Sequence, residues 1–190
     1  EGFDNIAGMV GWENIIMSTL NTPANKRFEG MTVQDIAKAR GNDPINCVCD
    51  MLIEENCAIT MIDFITCEED IARILNCGFA SVISDSIYPA SGRPHPRLYG
   101  TYARIIQRFV GERRDMTLEA AVKAMTYTPA KALNIADRGL LKEGLCADVN
   151  VFDPAEVKER GSYADPDKCA AGMDYVFVNG KPAIAAVNLS

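Results

Sequence analysis

Histidine is almost missing from this chain: His95 is the one imidazole among 190 residues, and there is one tryptophan. A catalytic zinc takes about three protein ligands, so a multi-histidine metal centre cannot be completed from this sequence alone. Paired cysteines are missing as well. The seven thiols, Cys47, Cys49, Cys57, Cys67, Cys77, Cys146 and Cys169, include no CxxC pair, which argues against a zinc knuckle or a dithiol redox motif. Cys47 and Cys49 stand two apart on a predicted helix and point in different directions, so the set reads as buried, reduced thiols. No apolar run approaches the roughly twenty residues that span a bilayer, and Glu1 to Asp4 lack the basic and apolar regions of a secretory signal. These absences predict a cytoplasmic chain with no membrane partner. A basic stripe is also lacking: 26 acids outnumber 19 bases, interspersed, for a net charge of -7, which excludes nucleic acid as a natural partner.

What is present is an ordinary apolar fraction and an alternation of strand and helix signals. Residues 14–20 read as a strand. Thr32 is placed to cap a helix to Arg40 that Gly41 ends, and Pro44 opens a second helix over residues 44–56, with a stripe of Ile45, Val48, Cys49, Leu52 and Ile53. Residues 58–62 read as a strand, Thr66 and Glu69 as the capping box of the next helix, and residues 79–84 as a further strand ending at Asp85. Helices follow over 98–112 and 117–126, then a short one capped by Thr128 and started by Pro129. This order predicts an α/β fold with a largely parallel sheet. From about residue 136 the pattern changes to β: a strand over 147–153 and a hairpin over 175–184 turning at Asn179-Gly180.

In parallel α/β folds chemistry gathers at the carboxyl ends of strands. Asp85 stands at such an end, where a carboxylate can bind a metal, move a proton, or merely cap a turn. Behind it runs a loop rich in proline and glycine, with Arg93 nearer its tip and Arg97 at its far end, where a planar cationic fork can clamp a carboxylate. His95, between two prolines, reads as a ligand, a base or a hydrogen-bonding brace.

The run SVISDSIYPASGRPHPRLYGTYARIIQRFV, followed by LEAAVKAMTYTPAKALNIADRGLLKEGLCADVNVFDP and VFVNGKPAI, closely resembles the C-terminal part of the D-aminoacylase (N-acyl-D-amino-acid deacylase) family of the amidohydrolase superfamily. The resemblance extends back through EGMTVQDIAKARGNDPINCVCDMLIEE. It implies the last βα units of a (β/α)8 TIM-type barrel over residues 1–135, including its seventh and eighth strands, and the C-terminal part of a small β-domain over 136–190. It implies a zinc-dependent enzyme that hydrolyses the amide of N-acyl-D-amino acids. Asp85 would be the catalytic general base and then acid, and a secondary metal ligand; Arg97 would hold the α-carboxylate of the small-molecule substrate, with Ser18 and His95 as further binding candidates. The main zinc ligands would lie upstream, so the fragment alone is expected to be inactive and, with strand edges and helix faces uncovered, prone to form a homo-oligomer. Ser86 departs from the glycine that many such relatives have after the aspartate. Two other readings are a cyclic amidohydrolase of the dihydroorotase or hydantoinase kind, against which the Pro-His-Pro-Arg loop argues, and a non-catalytic carboxylate-binding or assembly module.

Overall fold

A computed structural model describes residues 5–88 and 92–185. The chain divides into two compact units, one of Glu1–Thr66, Ser86–Leu98 and Ser162–Asp167, the other of Cys67–Asp85, Tyr99–Gly161 and Lys168–Ser190.

The first unit is built on helix α1 (Ile6–Val10), strand β1 (Ile15–Thr19), helices α2 (Val33–Arg40) and α3 (Pro44–Glu54), and strand β2 (Thr60–Asp63). Local chemistry sets the bounds of α2. The Thr32 side chain accepts the Asp35 N–H at 3.1 Å, and Gly41 closes the helix with φ +66°, a conformation that glycine holds without a Cβ clash. Asp43 caps α3 by accepting from the Ile45 and Asn46 N–H groups, with Pro44 at the first helical position. The buried face of α3 is not the expected stripe: Cys47 and Met51 are buried, whereas Ile45 and Ile53 are 62 % and 76 % exposed. Residues 47 and 51 lie one turn apart and join the core that α2 and β1 build with Ile36 and Met17, and a helix can turn only one such line toward a core. Met17, Leu20, Ile36 and Met51 are among the fully buried side chains there, and each contributes about 2 kcal/mol by leaving water.

The second unit contains α4 (Glu68–Leu75), α5 (Arg97–Arg104, in this unit from Tyr99), a π-helical continuation Ile105–Glu112, α6 (Leu118–Met125), α7 (Tyr127–Ala132), and strands β3 (Val149–Phe152), β4 (Met173–Val178) and β5 (Lys181–Ala185). Thr117 caps α6 through the Ala120 N–H at 3.2 Å. The α4 N-cap is Cys67 rather than Thr66, and Thr128 and Pro129 lie inside the first turn of α7 rather than before it. Proline is tolerated in a first turn because the N–H it lacks would have had no helical partner. Ala72, Val82, Ile105, Phe109, Met116, Ala121 and Ala124 form the core. Glu68 ties the helical surface together, pairing with Arg104 at 3.1 Å, Arg108 at 2.7 Å and Arg113 at 3.3 Å.

Both sheets are antiparallel, which corrects the expectation of a largely parallel one: β1 pairs with β2, and β3, β4 and β5 form a second sheet in that order. Residues 79–84 are not a strand. A strand needs a ladder, and here the Val82 N–H donates to the Ala124 carbonyl in α6, while Phe79 and Ile83 are 81 % and 66 % exposed. The hairpin turns at Asn179 and Gly180, both at positive φ, as the sequence suggests. Among the described residues, no helix is long and apolar enough to cross a membrane.

Candidate functional site

β1 ends in an irregularity that matters for the site. In its pairing with β2, Met17 faces Met61 and Thr19 faces Thr60, so Ser18 is the extra residue of a bulge. A bulge leaves one residue out of the ladder and re-aims its groups. Ser18 is buried, and both of its free backbone and side-chain groups go to the loop of residues 92–98. Its carbonyl accepts the Arg93 N–H at 3.2 Å, and its hydroxyl donates to the Arg93 carbonyl in a short hydrogen bond. Gly92 makes this approach sterically feasible. It has φ +87°, and a Cβ there would stand 2.8 Å from the Thr19 Cβ. Arg93 is exposed, its guanidinium lying over Gly30.

His95 closes the loop onto the start of α5. Its Nδ1 accepts the Arg97 N–H at 3.0 Å and its carbonyl accepts the Leu98 N–H at 3.0 Å, satisfying donors that a helix start leaves without helical partners. An accepting Nδ1 leaves the ring proton on Nε2 in the neutral imidazole. The ring meets Tyr163 edge-on, with centroids 5.2 Å apart and planes at 82°, and Tyr163 in turn meets Phe64 at 4.8 Å and 66°. The Arg97 carbonyl accepts from the Ser86 hydroxyl at 3.2 Å, and the Arg97 side chain is half-buried. Ser18, His95 and Arg97 are thus brought together in the first unit.

Asp85 belongs to the second unit. It is exposed and has φ +48°, one of six described non-glycine residues at positive φ. Asp tolerates that region better than most residues, yet the conformation is unfavourable.

Two carboxylates that sequence reasoning missed shape the first unit. Glu55, 3 % exposed, accepts from the Asn21 N–H at 2.6 Å, the Thr22 N–H at 3.0 Å, the Thr22 hydroxyl and the Asn25 side-chain amide at 2.9 Å. Burial alone would raise its pKa, but these donors outweigh burial and hold it down to about 2. Asp63, at the end of β2, has a buried Oδ1 without a hydrogen bond, and burial pushes its carboxyl up. Neither was visible in sequence, since Glu55 follows Glu54 on an acidic helix end and Asp63 closes a short apolar strand; only their spatial surroundings mark them.

The cysteines are all free, but they are not the buried set expected: Cys47 is buried, Cys146 half-buried and the rest exposed. Small helices and short strands leave few interior positions for them. Among the described residues, no three His, Cys, Asp or Glu side chains group closely enough to hold a metal ion. The donors present therefore do not fit a zinc centre on their own.

The profile of the Amidohydrolase family matches residues 22–184, and the chain belongs to that family. Among curated relatives, it is 36 % identical over 165 residues to N-acyl-D-glutamate deacylase and 35 % identical over 155 residues to D-aminoacylase, both from Alcaligenes xylosoxydans xylosoxydans. These matches cover 87 % and 82 % of this chain, but 32 % and 31 % of the relatives. Among solved structures, N-acyl-D-glutamate deacylase from Bordetella bronchiseptica, complexed with zinc and a phosphonate mimic of the tetrahedral intermediate, superposes with a TM-score of 0.82 at 33 % identity over 95 % of this chain and 36 % of that one. A D-aminoacylase that defines a novel subset of amidohydrolases gives 0.80 at 30 % identity, covering 93 % of this chain and 36 % of that one. The chain thus spans about a third of the length of the relatives it matches. The likeness to D-aminoacylases read from motif order is borne out.

Proposed function

We propose that this chain is the C-terminal portion of a zinc-dependent amidohydrolase that cleaves the amide bond of N-acyl-D-amino acids. The observation that carries the reading is the agreement among relatives: N-acyl-D-glutamate deacylase, D-aminoacylase and N-acyl-D-aspartate deacylase each match 76 % or more of the chain at 31–36 % identity. Substrates of that class share a carboxylate beside a scissile amide. On this reading residues 1–135 belong to a (β/α)8 barrel and 136–190 to a small β-domain. Asp85 takes a proton from the attacking water and returns it to the leaving nitrogen. The Arg97 guanidinium receives the α-carboxylate in paired charge-assisted hydrogen bonds. Zinc belongs to the full-length protein, held chiefly by ligands outside this chain.

The test is to express the full-length protein, measure its zinc content, and assay N-acetyl-D-glutamate, N-acetyl-L-glutamate and a hydantoin. Bound zinc with turnover of the D-substrate supports the reading. A metal-free protein inactive on all three overturns it in favour of a carboxylate-binding module, and turnover confined to the hydantoin overturns it in favour of a cyclic amidohydrolase.

A further inference from the structure

The loop that carries Arg97 is seated at both ends of a short span, and the two seats come from distant parts of the sequence. One is the Ser18 bulge, which exchanges two hydrogen bonds with Arg93. The other is Tyr163, from the segment Ser162–Asp167, whose ring is set between His95 and Phe64. His95 transmits that seat to Arg97 through its Nδ1, two residues away. Two edge-to-face contacts restrict the rotation and slide of the Tyr163 ring, and His95 can cap the Arg97 N–H only while its own ring is held at the right angle. Tyr163 lies on neither the loop of residues 92–98 nor its sequence neighbourhood, so its place in this stack is a property of the tertiary fold.

We infer that Tyr163 is a positioning residue for Arg97, acting through the His95 imidazole, with the Ser18 bulge as the opposite anchor. The inference rests on the reading of Arg97 as the carboxylate clamp. A clamp that binds substrate and transition state alike lowers KM without changing kcat, so misplacing it raises KM selectively. Binding by a charged pair is steep in geometry, whereas the chemical step is carried by other groups.

The experiment uses the full-length enzyme and an N-acetyl-D-amino acid, with Tyr163→Leu, Tyr163→Phe, His95→Asn, Arg97→Ala and the Tyr163→Leu, Arg97→Ala double variant. Tyr163→Leu is expected to raise KM about tenfold with kcat within about twofold, the size an aromatic pair and its aligned hydrogen bond can account for. Tyr163→Phe, which keeps the ring, restores KM to within about twofold. His95→Asn keeps an acceptor for the Arg97 N–H but loses the ring, and falls between the two. In the Arg97→Ala background the Leu substitution adds nothing further, because residues acting through one group are not additive. A parental KM for Tyr163→Leu, or its full effect on top of Arg97→Ala, overturns the positioning role while leaving the clamp in place. An Arg97→Ala variant with parental KM overturns the clamp reading itself and the positioning role with it.

Discussion

Asp85 concentrates the residue-scale question. An L-residue at φ +48° is held there by its surroundings, and such outliers gather where function needs a particular side-chain direction. Asparagine tolerates the same backbone but cannot take up a proton, so if Asp85 carries the proton as proposed, Asp85→Asn in the full-length protein should keep its fold and lose about a thousandfold in kcat. Glycine relieves the strain, and Asp85→Gly should therefore raise stability by about 1 kcal/mol while abolishing turnover. Steady-state kinetics beside thermal melts read both arms, and an active Asn variant would remove Asp85 from the chemistry. The Ser86 hydroxyl donates to the Arg97 carbonyl, a bond that glycine at this position could not make.

At the scale of elements, the loop after β1 depends on Glu55 at the end of α3. Four donors converge on that carboxylate, two of them the backbone N–H groups of residues 21 and 22, and its 3 % exposure means that little solvent screens them. A folded-state pKa of about 2, below the ordinary 4.5, gives the sign of the pH effect. The contribution is fully present above about pH 4.5 and is lost as pH falls through about 2, with a size on the order of 3 kcal/mol. Urea titrations of the chain and of Glu55→Gln should thus differ by about that amount at pH 7 and converge as pH falls from 4.5 toward 2. A gap that stays constant across that window would show that the charge of Glu55 is not what holds the loop. Helix limits were well marked in the sequence at Thr32 and Thr117, where a side chain three residues away supplies the cap, whereas the short α1, capped by Asn5 on the Gly8 N–H, was not read from it. They slipped at Cys67 and Tyr127, where no side-chain cap bond forms and neighbouring threonines offer competing signals.

At the scale of the whole molecule, the chain spans about a third of its relatives' length and exposes large apolar side chains within each unit, such as Ile53 at 76 % in the first and Phe79 at 81 % in the second. Surfaces of this kind associate unless covered. Purified alone, the 190-residue chain is expected to self-associate, retain no stoichiometric zinc and show no deacylase activity. Sedimentation velocity, metal analysis and an amide-hydrolysis assay check the three points, and a monodisperse monomer that binds zinc and turns over would refute the fragment reading.

Caps, turn residues and the apolar content of β1, β2 and the hairpin were legible from the sequence because they depend on neighbours a few residues away. So was the family likeness, carried by the ordered motifs around Asp85 and Arg97. Strand direction, the missing ladder at residues 79–84 and the buried face of α3 were decided only by tertiary structure, because a ladder or a core face is defined by its partner and a single segment does not contain one. The same holds for the setting of Arg97. Ser18, His95 and Tyr163 are separated by 77 and 68 positions in order, and only the fold places a bulged strand end and an aromatic stack on one loop.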